Sequence, residues 1–479
     1  MRKAIVLEIA LAGMGIGLLG CQGNDTTSPA SAGIGEQLQA LDPMACKPDK
    51  PDKTVELYAP EPSNGSLDQV RDLWRARNYA SATKLLALVS SPRAAWFLSG
   101  TPKEVGKAVR ETVTAADKQH RLPVLVAYNL PYRDCSQYSG GGATDTAAYK
   151  AWIDGFAAGI GKGKAMVILE PDGVGIIPYN TSIIGQQEWC KPTVTDAAGN
   201  VVPAPGATPA ERYAQLNYAV DSLAAHAPNA AVYLDSGNSG WMSPGEAAYR
   251  LTKAGALRAK GFFLNVSNYQ RSEECAQFGA WVSAALAAPA GAPSWAFDDK
   301  GNFHFDWLPS QYDPAQSYAI NYSPDYAATV TTAIQSFMGN AIATASFVID
   351  TGRNGQGPLD TAPYASAPYN QPSSVISGLK SGYWCNGYGA GAGLRPTTNT
   401  GVPLLDAYLW IKVPGESDGT CDIAGGARAW DYSAYNPWSL AGDAQTHFDP
   451  LWGQVDPEAG KWFPAQGLQL ALKANPSLL

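Results

Sequence analysis

Seven short apolar runs, each closing on polar or acidic residues, limit the folds open to this 479-residue chain. They are AAWFLSG (94–100), PVLVAYNLPYRD (123–134), AMVILEPD (165–172), AAVYLDSGNS (230–239), GFFLNVSN (261–268), ASFVID (345–350) and AYLWIKVPGESD (407–418). Their apolar parts are near-continuous rather than alternating, so both faces of each strand expect cover. Between them lie helical patterns. Val105, Val109, Val113 and Ala116 share one face of 103–118, and Ala148, Trp152, Phe156 and Ile160 share one of 144–160. Residues 210–226 carry Tyr213, Leu216, Ala219, Val220 and Leu223 in the same way. Strands alternating with amphipathic helices predict an α/β fold with a parallel sheet. About seven such units predict a distorted TIM-like β/α barrel, with an open doubly wound sheet as the alternative. Either fold puts function at the carboxyl ends of the strands, where these acids fall.

A single Asp after a strand is more often a cap or turn former than a catalyst. Several converging on one face suggest more. Paired carboxylates without a metal-binding cluster point to general acid/base chemistry, of which glycoside hydrolysis is the main example. One carboxyl needs a raised pKa, which a neighbouring carboxylate or an apolar pocket supplies. Asp134 and Asp172 end consecutive runs and could be such neighbours. Trp96, Trp241 and Trp384 lie in or near strand-end segments and could offer flat surfaces to sugar rings. The four histidines are scattered and no CxxC occurs, so neither a metal nor another cofactor is expected. A net charge of −8 argues against nucleic acid as a partner. GxSxG is absent, which ranks a serine esterase far lower.

Residues 1–21 read as an export signal. Met1-Arg2-Lys3 precedes an apolar run interrupted by Glu8, and Leu18-Leu19-Gly20-Cys21 resembles a lipoprotein processing site. Cys21 is then a candidate lipid anchor to the membrane, the protein being secreted or held at the surface of a bacterial cell. Residues 22–45 form a polar linker. Residues 46–479 read as a single catalytic domain, expected to be monomeric, with loop insertions near 176–212 and 276–344. Both insertions follow strand ends and are expected over the cleft. Export permits disulfides among the six remaining cysteines, which allow fifteen connectivities.

The segments YNLPYRDC (128–135), ILEPD (168–172), YLDSGNSGW (233–241), NVSNY (265–269), VIDTGRNGQGP (348–358), WCN (384–386) and DAYLWIKVPGESDGTC (406–421) resemble glycoside hydrolase family 6. Those enzymes are cellobiohydrolases and endoglucanases that cut β-1,4-glucan with inversion. The pieces occur in the family's order across residues 55–475. The resemblance implies that Asp172 is the general acid. It makes Asp134 the residue that raises the acid's pKa and positions water, and Asp418 the proposed base. It implies a site carboxylate at Asp235, a tyrosine beneath the distorted sugar at Tyr128, and sugar-binding residues at Asn268, Lys412 and Glu416. Trp96, Trp241 and Trp384 match subsite tryptophans, and Ser139 lies in a loop that closes over substrate in relatives. Asn238 stands where the family usually has His and can still donate to a sugar hydroxyl. Glu170 is expected to be structural. The pairs Cys135–Cys190 and Cys385–Cys421 are implied as disulfides, with Cys46 and Cys275 left as a guessed third.

The implied substrate is cellulose or a related β-1,4-glucan. The long insertions favour end-cutting, cellobiohydrolase-like action, and internal, endoglucanase-like cutting is the alternative. A non-catalytic surface glucan-binding lipoprotein is the rival from another class.

Overall fold

The computed structural model describes residues 55–479, so the leader, Cys21, the linker and Cys46 lie outside the described residues. The apolar runs form seven parallel strands in chain order. They are β1 (Ala95–Phe97), β2 (Val124–Ala127), β3 (Ala165–Leu169), β4 (Ala230–Asp235), β5 (Gly261–Leu264), β6 (Ser346–Asp350) and β7 (Leu405–Leu409). Each strand pairs with its sequence neighbour in parallel register, for example Val126 with Ile168 and Phe262 with Phe347. β1 and β7 share no ladder. The Ala94 amide donates to the Trp410 carbonyl at 2.9 Å, and Trp96 Nε1 to the Ile411 carbonyl at 2.8 Å. The sheet therefore curls into a distorted barrel whose seam is held by isolated hydrogen bonds.

Strand parity divides the core into two layers. Val124, Val126, Met166, Ile168, Tyr233, Phe263, Val348, Ala407 and Leu409 pack inside the curl. Leu125, Ala127, Val167, Leu169, Leu234, Phe262, Leu264, Phe347 and Ile349 point outward, under the helices. This two-sided burial is why the runs read as continuously apolar.

Helices α1 (Asn64–Arg75) and α2 (Tyr79–Val89) precede β1. The outer layer is α3 (Pro102–Lys118), α4 (Thr146–Ile160), α5 (Pro209–His226), α6 (Pro244–Ala254), α7 (Ser272–Gly291) and α8 (Pro324–Met338). Thr101 and Thr208 open α3 and α5 as capping boxes with Glu104 and Glu211, and Asp145 and Ser243 cap α4 and α6. These caps satisfy amide groups that the first turn leaves free. The observed helices match the patterns at 103–118, 144–160 and 210–226 to within a few residues.

The segment 276–344 departs from the expected loop. Its two ends, 276–291 and 324–338, are α7 and α8 in the outer layer. α7 is apolar nearly all round and buried from Cys275 to Leu286, with Gly279 set against the Phe347 ring. An all-round apolar helix needs cover on every side, so it belongs to the core rather than above a cleft. Only the stretch between α7 and α8 is irregular. Its hairpin, Tyr312–Asp313 with Ala319–Ile320, meets the loop after β4 through Gln311 Nε2, which donates to the Ser239 and Met242 carbonyls. In 176–212 a hairpin, Thr193–Thr195 with Val201–Pro203, precedes α5.

Phe347 stacks on Phe262 at 5.5 Å and is fully buried. Phe347→Ala is expected to cost about 3–5 kcal/mol, measured as a lowered urea midpoint with an unchanged m-value.

Candidate active site

The carboxylates at the strand ends fall into two sets with different work. Glu170, Asp235 and Asp350 are buried and accept backbone N–H groups from neighbouring exit loops. Glu170 Oε2 takes the amides of Asn129 at 2.9 Å and Leu130 at 3.0 Å, tying the end of β3 to the loop after β2. Asp235 Oδ2 takes Gly175 at 2.7 Å and Val174 at 3.2 Å, and its Oδ1 takes Gly237 at 3.0 Å. Asp350 takes Gly352 at 2.9 Å, Lys412 at 2.9 Å and Ile411 at 3.2 Å. Burial raises all three pKa values against these hydrogen bonds, Glu170 to about 7 and both Asp235 and Asp350 to about 6. Asp235, expected to bind substrate, is thus occupied with holding the turn that carries Asp172.

The second set is Asp134, Asp172 and Asp418. Asp172 follows Pro171 in a left-handed conformation (φ 62°), as do Glu170 (φ 56°) and Asp134 (φ 52°). Each such residue costs about 1–3 kcal/mol, so its surroundings must hold it there. For Asp172 they are Asp235 below and Trp241 above. A Cβ on Gly175 would come within 2.6 Å of the Trp241 ring, so only glycine lets that ring lie on the turn. Burial raises the Asp172 pKa well above the usual range, and the charges of Asp235, Asp134 and Asp418 add to the rise. The Tyr128 hydroxyl is the neighbour that opposes it.

Burial also raises Asp134, to about 6, although the Ser139 amide donates to its Oδ2 at 2.8 Å. Arg133 clamps this loop. It donates to the Ser139 carbonyl at 3.0 Å and to the Tyr128 and Leu98 carbonyls at 2.6 Å. The Cys135–Cys190 disulfide ties the loop to the 176–212 insertion.

Asp418 is the opposite case. Burial would raise its pKa, but Arg353 and Lys412 outweigh burial and hold it low. Arg353 Nη1 lies 2.5 Å from Oδ2 and Lys412 Nζ 3.1 Å from Oδ1. Asn386 donates its amide to Oδ2 and accepts the Asp418 amide on Oδ1, both at 2.8 Å. Three carboxyls that share a cleft thereby differ in charge. Burial and like charges push Asp172 toward its protonated form, Arg353 and Lys412 pull Asp418 toward its ionised form, and Asp134, raised to about 6, lies between them.

The other expected site residues are distributed as follows. Tyr128 is buried edge-on to Trp96 at 5.6 Å, beneath the Asp172 side. Trp96 and Trp384 are half-buried, and Trp241 is 39 % exposed. Trp384 packs by the Cys385–Cys421 disulfide, near Tyr138. Ser139 serves through its backbone. Asn238 is buried and accepts the Gly240 amide at 2.9 Å, which shapes the turn that presents Trp241. Asn268 accepts the Tyr383 hydroxyl at 3.1 Å. Lys412 is engaged with Asp418 and the Ser417 carbonyl. Glu416 is largely enclosed, and burial raises its pKa against Lys412 and Arg93. Cys275 is a buried free thiol beside Ser239, and its guessed partner Cys46 lies outside the described residues. Among the described residues no group of three His, Cys, Asp or Glu could hold a metal ion.

Sequence reasoning missed Arg353, Asn386 and Asp350 as organisers of the site. Arg353 is 1 % exposed and lies over the Tyr269 ring at 4.6 Å. Its signal was present in DTGRNG, since an arginine just past an apolar strand is well placed to face a buried acid. Asn386 stood in the quoted WCN, but nothing local shows that it caps a residue 32 positions away.

A curled parallel β/α sheet with carboxyls of opposed proton affinity gathered at its carboxyl end is the arrangement of a carboxylate-dependent glycosidase. The chain belongs to glycosyl hydrolases family 6, whose family model matches residues 52–474. It is 30% identical over 397 residues to Endoglucanase 1 of Streptomyces halstedii, covering 82% of this chain and 90% of that one. It is 31% identical over 373 residues to a probable 1,4-beta-D-glucan cellobiohydrolase C of Neosartorya fischeri, covering 74% and 62%. Among solved structures it is similar to an endoglucanase of Mycobacterium tuberculosis in complex with methyl-cellobiosyl-4-deoxy-4-thio-β-D-cellobioside. That match has a TM-score of 0.54 and 27% identity, over 88% of this chain and 97% of the other.

Asp235→Asn removes a negative charge that helps keep Asp172 protonated. The Asp172 pKa should fall, so the alkaline limb of the activity profile should move to lower pH. An unmoved limb would show that the Asp235 charge does not act on the acid.

Proposed function

We propose that the chain hydrolyses β-1,4-glucosidic bonds of cellulose or a related β-glucan by a single displacement that inverts the anomeric centre. The observation that carries this is the charge division among Asp172, Asp134 and Asp418. Asp172, kept protonated by burial and three neighbouring carboxylates, donates to the leaving oxygen. Water attacks the opposite face, and its proton passes to the Asp134 and Asp418 side. Of these two, Asp134 is the stronger base, with its pKa raised to about 6. Asp418, with Arg353 on one oxygen and Lys412 on the other, contributes a fixed negative charge facing the positive ring carbon of the transition state. Tyr128 lies beside Asp172 as the floor on which a distorted sugar would rest. Binding alone would need no raised pKa, which disfavours the non-catalytic rival. The cellobioside analogue named with the similar endoglucanase supports the substrate class.

Internal cutting fits better than the end-cutting expected from the insertions. Of 276–344, residues 276–291 and 324–338 are outer helices, which leaves only 292–323 to reach the cleft. Cys421, three residues past Asp418, is bonded to Cys385, which pins the chain at that point. A shorter roof favours a groove that admits the middle of a chain. We also infer that the protein works as a single copy, since all the named groups come from one chain. The two disulfides support export, with Cys21 as the lipid attachment point. Loss of labelled fatty acid in Cys21→Ser would support that attachment, and equal labelling would exclude it.

Asp172→Ala should lower turnover of cello-oligosaccharides by about 10²–10⁴-fold, and undiminished release of soluble sugar would refute the assigned acid. Proton NMR of the first product should show the α-anomer. On carboxymethylcellulose, viscosity should collapse with few new reducing ends. Steady sugar release at nearly constant viscosity would restore the end-cutting reading.

A further inference from the structure

Behind Asp418 lies a second pair of acids that the reaction does not use. Asp449 and Asp456 are 0 % and 3 % exposed. The turn between them is closed by the Gly453 amide on the Asp449 carbonyl and the Asp449 amide on the Gln454 carbonyl, both at 2.9 Å. This brings the two side chains within hydrogen-bonding reach of each other. Asp449 Oδ1 accepts the Leu451 amide at 2.8 Å and Arg428 Nε at 3.2 Å. Its Oδ2 is ion-paired with Arg428 Nη2 at 2.9 Å but receives no aligned N–H. Asp456 Oδ2 accepts Asn386 Nδ2 at 2.8 Å, and Asp456 Oδ1 has no partner.

One vacant oxygen is therefore left on each of two adjacent buried carboxyls. Two carboxylates with one nearby arginine would leave an uncompensated charge and an oxygen of Asp456 with no donor in the core, each costly. A single proton removes both defects, because it turns the vacant Asp456 oxygen into a donor to the vacant Asp449 oxygen. The charged groups facing Asp456 are Asp449 and Arg428, and Asn386 is its neutral partner. Asn386 is the hub beyond the pair. It sits at φ 39°, places Nδ2 also 3.0 Å from both Ser417 Oγ and the Gly419 carbonyl, which share its second N–H, and brackets Asp418 through its own amide and Oδ1.

We propose that Asp449 and Asp456 share one proton, and that this protonated pair is the positioning element that holds Asn386 and, through it, Asp418. Asp456 touches no substrate. It fixes the orientation of an amide side chain whose other end sets the angle of the Asp418 carboxylate between Arg353 and Lys412. The role in turnover rests on the proposed reading of Asp418, whereas the shared proton does not.

The test compares Asp456→Asn with Asp456→Ala in the full-length protein. Asn reproduces the protonated form, its carbonyl accepting from Asn386 and its amide donating to Asp449. Asp456→Asn should keep kcat near that of the native enzyme. Asp456→Ala should lose kcat on the order of 10²-fold with little change in KM, as misplacement of a reacting group does. Melting temperature against pH supplies a readout independent of activity. Burial first, and then the Asp449 charge, raise the Asp456 pKa from 3.8 to about 9. Native stability from this group is fully present below pH 3.8 and is lost as pH rises toward about 9. The melting temperature of Asp456→Asn minus that of the native protein should therefore grow across that range and then level. A constant difference across pH would overturn the shared proton. An Asp456→Asn enzyme as impaired as Asp456→Ala would overturn the positioning role.

Discussion

The structure depends on buried carboxylates at strand ends accepting the amides of an adjacent strand's exit loop. A parallel strand that stops leaves its ladder unfinished, and its exit loop carries backbone N–H groups that need acceptors away from water. Glu170, Asp235 and Asp350 supply them, each reaching sideways to a neighbour: Asn129 and Leu130, Val174 and Gly175, Ile411 and Lys412. The sheet is thereby locked at the end where its ladders stop. The same contacts hold Glu170 and Asp172 in left-handed backbone that neither would choose alone.

That arrangement creates the electrostatics of the site. Asp235 is oriented by three amides, so its negative end lies beside Asp172 and favours the proton there. Arg353 and Lys412 do the reverse for Asp418. The charge division follows from which neighbours the fold assigns to each acid, since all three begin as ordinary aspartates. Support extends outward in layers, from Arg133 behind Asp134 to Asn386 behind Asp418.

Much of the fold was legible because two-sided burial leaves a plain mark. All seven runs became strands, and the helices between them kept their predicted faces. The strands stop earlier than the runs, near the first polar residue. The segment 276–344 was misjudged because an apolar, alanine-rich stretch such as 275–291 can be a loop insertion or a core helix, and only its packing against β6 distinguishes them. At the site, Asp134, Asp172, Asp418, Tyr128 and Trp241 were identifiable from strand-end motifs. Asp235 was named as a site carboxylate, but its bonds to the amides of residues 174 and 175 were not legible.

What the sequence by itself determined was the alternation of strand and helix, the end of the sheet where chemistry would sit, and which residue types were available there. Tertiary structure alone decided which carboxyl holds a proton, which remains charged and which serves the backbone. The reason is that a pKa is set by burial and by charges a few ångströms away, and decisive neighbours are distant in the chain, as Val174 is 61 residues from Asp235 and Arg353 65 from Asp418. No local pattern carries that information.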